Sequence, residues 1–145
     1  MNPSQRHKAR HFAMQAIYQW QMTNELAATI EEQFLEDQPI DKKTDKEYLH
    51  NLIAGTISHV EELDKIYSPF LSSRGLDDLD LVDKAILRLA TYELKYNNEE
   101  VPFRVIINEA INLAKEFAAA DSYKFVNGIL DKVVKSMNLV DTKKF

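Results

Sequence analysis

The chain contains no cysteine. Disulfides, thiolate zinc sites, iron–sulfur clusters and cysteine nucleophiles are excluded with it. Glycine and proline are scarce, at three and four among 145 residues. So few turn formers cannot supply the hairpins of a many-stranded sandwich or barrel. No apolar run approaches the roughly 18–20 residues of a membrane span, and the N-terminus lacks a signal-peptide core. Acid is missing locally: from Met1 to Asn24 there are Arg6, Lys8 and Arg10 but no Asp or Glu. The chain as a whole carries −5, so the residues beyond Asn24 carry −8. A body so acidic repels nucleic acid, and any binding of that kind must be confined to a local basic surface beginning at the N-terminus. What is present, 45% hydrophobic and 28% charged residues, describes a globular protein. The expectation is a cytoplasmic, all-α single domain.

Apolar periodicity divides the chain into helices. Ala9, Phe12, Ala13, Ala16, Ile17 and Trp20 form one stripe of a first helix running from about Ser4 to Thr23, with Arg6, Arg10, Met14 and Tyr18 at four-residue steps on a neighbouring face. Thr29 with Glu32, and Thr44 with Glu47, form capping-box patterns for two further helices. The second box opens a long segment through Ile66, in which a break is expected near His59, and Pro69 ends it. Residues 72–78 read as the main connection. Helices then follow on Leu79–Leu94, after Pro102, and from Asp121 or Ser122 to Met137, with 141–145 as a frayed tail. About seven helices in two small bundles result.

Catalytic motifs are absent. Gly55, Gly75 and Gly128 stand too far apart for a phosphate-cradling loop, and no Gly-x-Ser-x-Gly elbow exists. His7 and His11 share a helix face, but no acid nearby completes a metal site, so no metal or cofactor is expected. Asp77, Asp78, Asp80 and Asp83 depart from a calcium loop and suit a helix start, where the macrodipole favours acids. What survives is the stretch from Ser4 to His11, leading into Gln15, Tyr18 and Gln19. Arginine and lysine hold phosphates, and tyrosine stacks on unpaired bases. Trp20 lies in the apolar stripe and reads as core, which leaves Tyr18 as the functional ring. Gly128, inside the final helix, costs roughly 1 kcal/mol against alanine. Its commoner explanation is a tightly packed neighbouring helix; the other is an RNA strand drawn close, with Asn127 offering its amide.

The run from Arg6 to Trp20 resembles the opening of the NusB family of bacterial transcription antitermination factors. The similarity continues through residues 83–88 and 92–94, and is strongest from Ile107–Ala110 to Ser122 and in Lys124–Asp131. The resemblance implies a non-enzymatic protein that binds the boxA element of single-stranded nascent RNA together with NusE, a small-subunit ribosomal protein. It further implies service to the elongating RNA polymerase with other Nus factors, promoting read-through and ribosomal RNA synthesis and maturation. Carried over by position, the RNA residues are Arg6, His7, Lys8, Arg10, Gln15 and Tyr18, with Arg88, Lys124 and Asn127 added from later helices; Asp83, Leu87 and Phe125 fall on the protein-partner face.

The stretch Arg6-His7-Lys8 departs from the consecutive arginines common in that family. Lysine lacks the planar fork and histidine is largely neutral at pH 7. Three cations supply a salt slope of only about −2 at roughly −0.7 per phosphate, so weak RNA binding alone and strong dependence on NusE are expected. Asp121, near the RNA face, reads as an N-cap whose charge also repels phosphate, so that Asp121→Asn should tighten binding. A pure helical protein–protein adaptor is the rival reading, in which the basic stretch is incidental. A fragment of a NusB-like methyltransferase fails, because no glycine-rich cofactor strand follows. An apolar partner face leaves homodimerisation open.

Overall fold

A computed structural model describes residues 3–40, 42–72 and 75–139. Among them are seven α-helices and no strand: α1 (Pro3–Thr23), α2 (Ala27–Asp37), α3 (Lys46–Ser58), α4 (Val60–Tyr67), α5 (Leu81–Tyr96), α6 (Phe103–Phe117) and α7 (Ser122–Ser136). Two 3-10 turns, Ser68–Phe70 and Leu76–Asp78, connect α4 to α5. The tail 141–145 lies outside the described residues.

The break at His59 has a visible cause. His59 leaves helical geometry at φ −109° and ψ 15°, closing α3 and opening α4, and its Nδ1 lies 2.8 Å from the Gly55 carbonyl oxygen. The caps differ from the sequence patterns. Helix α2 starts two residues before Thr29, with Leu26 at its N-cap and no side-chain cap bond. At α3 the cap is Asp45, one residue past Thr44, accepting from the Tyr48 N–H at 3.0 Å. Asp80 caps α5, accepting from Val82 N–H at 2.9 Å. Asp121 occupies the N-cap of α7 but its side chain accepts no cap bond. Pro102 precedes α6 as its N-cap.

Helix α5 is the axis of the molecule. Ten of its sixteen residues are buried, on every side, because it packs against α1, α3, α4, α6 and α7. One bundle gathers α1, α2 and α3 beside it; the other gathers α6 and α7. Ile17, Leu52, Ile53, Leu63, Ile86 and Leu94 are wholly inaccessible and join both bundles in one core.

Two glycines of the helices have opposite surroundings. A Cβ on Gly55 would fall 2.2 Å from the Tyr92 ring, so its absence lets α5 approach α3 closely. A Cβ on Gly128 would meet nothing within 4 Å. The neighbouring helix expected at Gly128 is therefore not there: the position faces open space. No helix of the described residues is long and apolar enough to cross a membrane.

Candidate RNA interface

The N-terminal basic stretch is not a free arm. It forms the first two turns of α1, packed against α3, α5 and α6. Arg10 and Glu93 are 3% and 1% exposed. The Arg10 Nε donates to both Glu93 oxygens at 2.9 and 2.8 Å, and Nη1 reaches Glu109 at 3.4 Å. Tyr48 donates its hydroxyl to Glu93 Oε1 at 2.5 Å, and accepts from Asn97 Nδ2 at 3.2 Å. Burial pulls the Arg10 pKa down, but Glu93, with Tyr48 and Glu109 behind it, raises it further and the net shift is upward. Burial, with Glu93 behind it, pushes the Tyr48 hydroxyl well above its usual range. Arg10 was expected to contact RNA. Its charge is instead committed to fixing α1 on α5, because leaving Glu93 unpaired in the core would be costly.

Its neighbours on α1 also meet acids from distant elements. Arg6 Nη2 donates to Glu100 at 3.0 Å and its guanidinium lies 4.5 Å from the centre of the Tyr48 ring. Arg6 Nε is also 4.0 Å from Asp45. The exposed His7 ring sits 2.8 Å from Glu109, and His11 3.3 Å from Glu116 one turn on. Lys8 is half-buried. The stretch that holds no acid in sequence is thus surrounded by acids in space.

Further along α1, Gln15 and Tyr18 line a groove of about 300 Å³ with Met14, Gln19, Phe34, Gln38, Val82 and Phe117. Gln15 donates to the His11 carbonyl at 3.1 Å. Trp20 packs partly buried against the core, below Arg88.

The residues from later helices separate. Arg88 grips Asp64 through two bonds of 2.9 Å and donates to Gln21 at 3.0 Å, tying α5 to α4 and α1. Burial lowers its pKa, yet Asp64 together with Tyr67 raises it further and the net shift is upward. Lys124 is exposed, 4.0 Å from Asp121, and Asn127 is half-buried beside the open Gly128. Asp83 is 4% exposed and accepts from Ser122 at 3.4 Å, which joins the start of α5 to the start of α7. Leu87, expected on a partner face, is wholly buried, since α5 has a helix on every side. Phe125 is half-buried.

Sequence reasoning missed Tyr48, Glu93, Glu100 and Glu109. Glu93 left a signal: it stands on the apolar stripe of α5, between Ala90 and Leu94. A carboxylate in such a stripe requires a buried cation.

A family model described as the NusB family matches residues 7–135. The transcription antitermination protein NusB of Aeromonas hydrophila is 61% identical, covering 95% of this chain and 98% of its own. That of Tolumonas auensis is 57% identical, covering 96% and 99%. Among solved structures, T. maritima NusB superposes with a TM-score of 0.79 at 32% identity, covering 93% of this chain and 92% of its own. A chain from a crystal structure of antitermination factors NusB and NusE with double-stranded RNA gives a TM-score of 0.80 at 31% identity, covering 90% and 96%. On sequence along nearly its whole length, and on a helix arrangement that repeats theirs, the chain belongs to the NusB family of transcription antitermination proteins.

Proposed function

We propose that this chain is a non-enzymatic, cytoplasmic RNA-binding factor that holds a boxA element together with NusE and serves the elongating polymerase in ribosomal RNA operons. The observation that carries the reading is the surface of α1. Arg6 and Lys8 sit at one end and the groove of Gln15 and Tyr18 at the other, with about 18 Å of helix rise between Arg6 and Tyr18. Such a surface suits a single strand, in which cations hold phosphates and a ring stacks on a base. The likeness to a protein solved with NusE and double-stranded RNA supports NusE and RNA as partners.

In this reading Arg6, Lys8 and Lys124 attract the backbone, Tyr18 and Gln15 meet a base, and Asn127 offers its amide beside the open Gly128. Val82 lines the groove, and its neighbour Asp83 is bonded to Ser122 at the start of α7, so the groove and the α7 N-terminus adjoin. Asp83 and Leu87 act from within, shaping the surface on which Phe125 meets NusE. Arg10 and Arg88 act in the same way for the RNA face, as anchors of α1.

The test is binding of a fluorescent boxA RNA and a scrambled control, with and without purified NusE. Selective binding that tightens with NusE is expected. Equal affinity for both RNAs, or no effect of NusE, would overturn the assignment. Burial of Arg10 lends weight to the adaptor reading, which predicts that Arg6→Ala leaves antitermination intact.

A further inference from the structure

The Arg6–Glu100 ion pair is built unevenly. The arginine side chain is 12% exposed and the glutamate 67% exposed. Arg6 is held from below by the Tyr48 ring at 4.5 Å and by Asp45 at 4.0 Å. Among the described residues the Glu100 carboxylate has no other partner than Arg6. The pair is also a partition, because Arg6 and Glu100 both line a recess of about 240 Å³ on one side and another of about 180 Å³ on the other. Arg10 lines the first recess, and its Nη2 is buried without a hydrogen-bond partner. The amides of Asn51 and Asn97 line the second.

We infer that Glu100 occupies the place of an RNA phosphate: a phosphodiester displaces it from Arg6, while Tyr48 keeps the guanidinium in position to receive the phosphate. The inference deepens the proposed function and rests on its assignment of RNA to the α1 face. The exchange replaces one monoanion by another, so Arg6 is never left without a counter-charge. Outward movement of Glu100 merges the two recesses over the guanidinium. The phosphate then meets the Arg6 donor that Glu100 gave up. An exposed carboxylate held through one ion pair is a weak competitor, and a phosphate that brings neighbouring nucleotides with it prevails.

The experiment measures affinity of the full chain with NusE for the fluorescent boxA RNA, using Glu100→Gln, Arg6→Ala, the double variant, and Glu99→Gln. Glu99 is an exposed acid in the same loop, so its variant changes net charge equally without touching Arg6. Glu100→Gln is expected to tighten binding about three- to fivefold beyond Glu99→Gln, the scale of an exposed ion pair removed as competitor. That gain must vanish when Arg6 is alanine. Equal effects of the two glutamine variants, or a gain that persists without Arg6, would overturn the inference. Arg6→Ala that weakens binding while the glutamine variants behave alike removes this inference and keeps the RNA face. Arg6→Ala without effect removes both.

Discussion

Arg10 Nε lies 2.9 and 2.8 Å from the two carboxylate oxygens of Glu93, and both residues are almost wholly enclosed. The contact joins the first helix to the central one through opposite charges in a setting with little water to screen them. Removing one partner strands the other. Glu93→Gln is expected to destabilise the protein by about 3–5 kcal/mol, whereas replacing both by apolar residues (Arg10→Met with Glu93→Leu) costs far less. Urea unfolding followed by circular dichroism measures both. Similar midpoints for the single and double variants would contradict it.

The two glycines predict opposite signs. Alanine gains roughly 1 kcal/mol over glycine inside a helix. At Gly128, where a Cβ meets open space, that gain is realised and Gly128→Ala raises the unfolding free energy. At Gly55 the Tyr92 ring stands 2.2 Å from the new Cβ and must move, giving up the bond it accepts from Asn51. Gly55→Ala is therefore destabilising, by about 1–3 kcal/mol as for overpacked cores. Thermal unfolding of the two variants separates them.

Alkaline stability follows from the tyrosines. Burial and the neighbouring carboxylates Glu93 and Asp64 raise Tyr48 and Tyr67 far above the ordinary value of 10, and the bond to Glu62, with some desolvation, takes Tyr96 to about 12. Above pH 10 the unfolded chain loses these protons while the folded one keeps them, so the folded state binds more protons and stability falls as pH rises. The stabilisation is complete below pH 10, and the Tyr96 share is lost between 10 and about 12. Tyrosinate absorbance from Tyr48 and Tyr67 should appear only together with loss of helical signal. Their ionisation in the folded protein would contradict the buried geometry.

The salt dependence of RNA binding reports how many cations of α1 reach phosphate. With Arg10 committed to Glu93, Arg6 and Lys8 remain on α1, and together with Lys124 of α7 they supply a slope of about −2 without NusE, at roughly −0.7 per phosphate. A slope of about −3 would mean that Arg10 also leaves the core on binding.

Much of the fold was legible in the sequence, because it depends on local period. Seven helices and the break at His59 follow from apolar spacing and punctuation within a few residues. The caps were less legible: Thr44 and Asp45 are both good cap residues, and only backbone geometry selects the second. Among the candidate site residues, the placement of Gln15 and Tyr18 on one groove follows from their three-residue spacing. The burial of Arg10 does not follow from anything nearby, since its partners lie 83 and 99 residues away. The burial of Leu87, which the resemblance places on a partner face, does not follow from local spacing either: a helix packed against five others hides residues that lie outside its apolar stripe.

The distance along the chain between Arg10 and Glu93 also sets an order of events during synthesis. The ribosome releases α1 first, but the carboxylate that fixes it is made 83 residues later. At 5–20 residues per second that interval is roughly 4–17 s. In that interval α2 and α3 are already available to cover part of the apolar stripe of α1, but its guanidinium is still unanchored, so the pairing of α1 with the central helix is a late step.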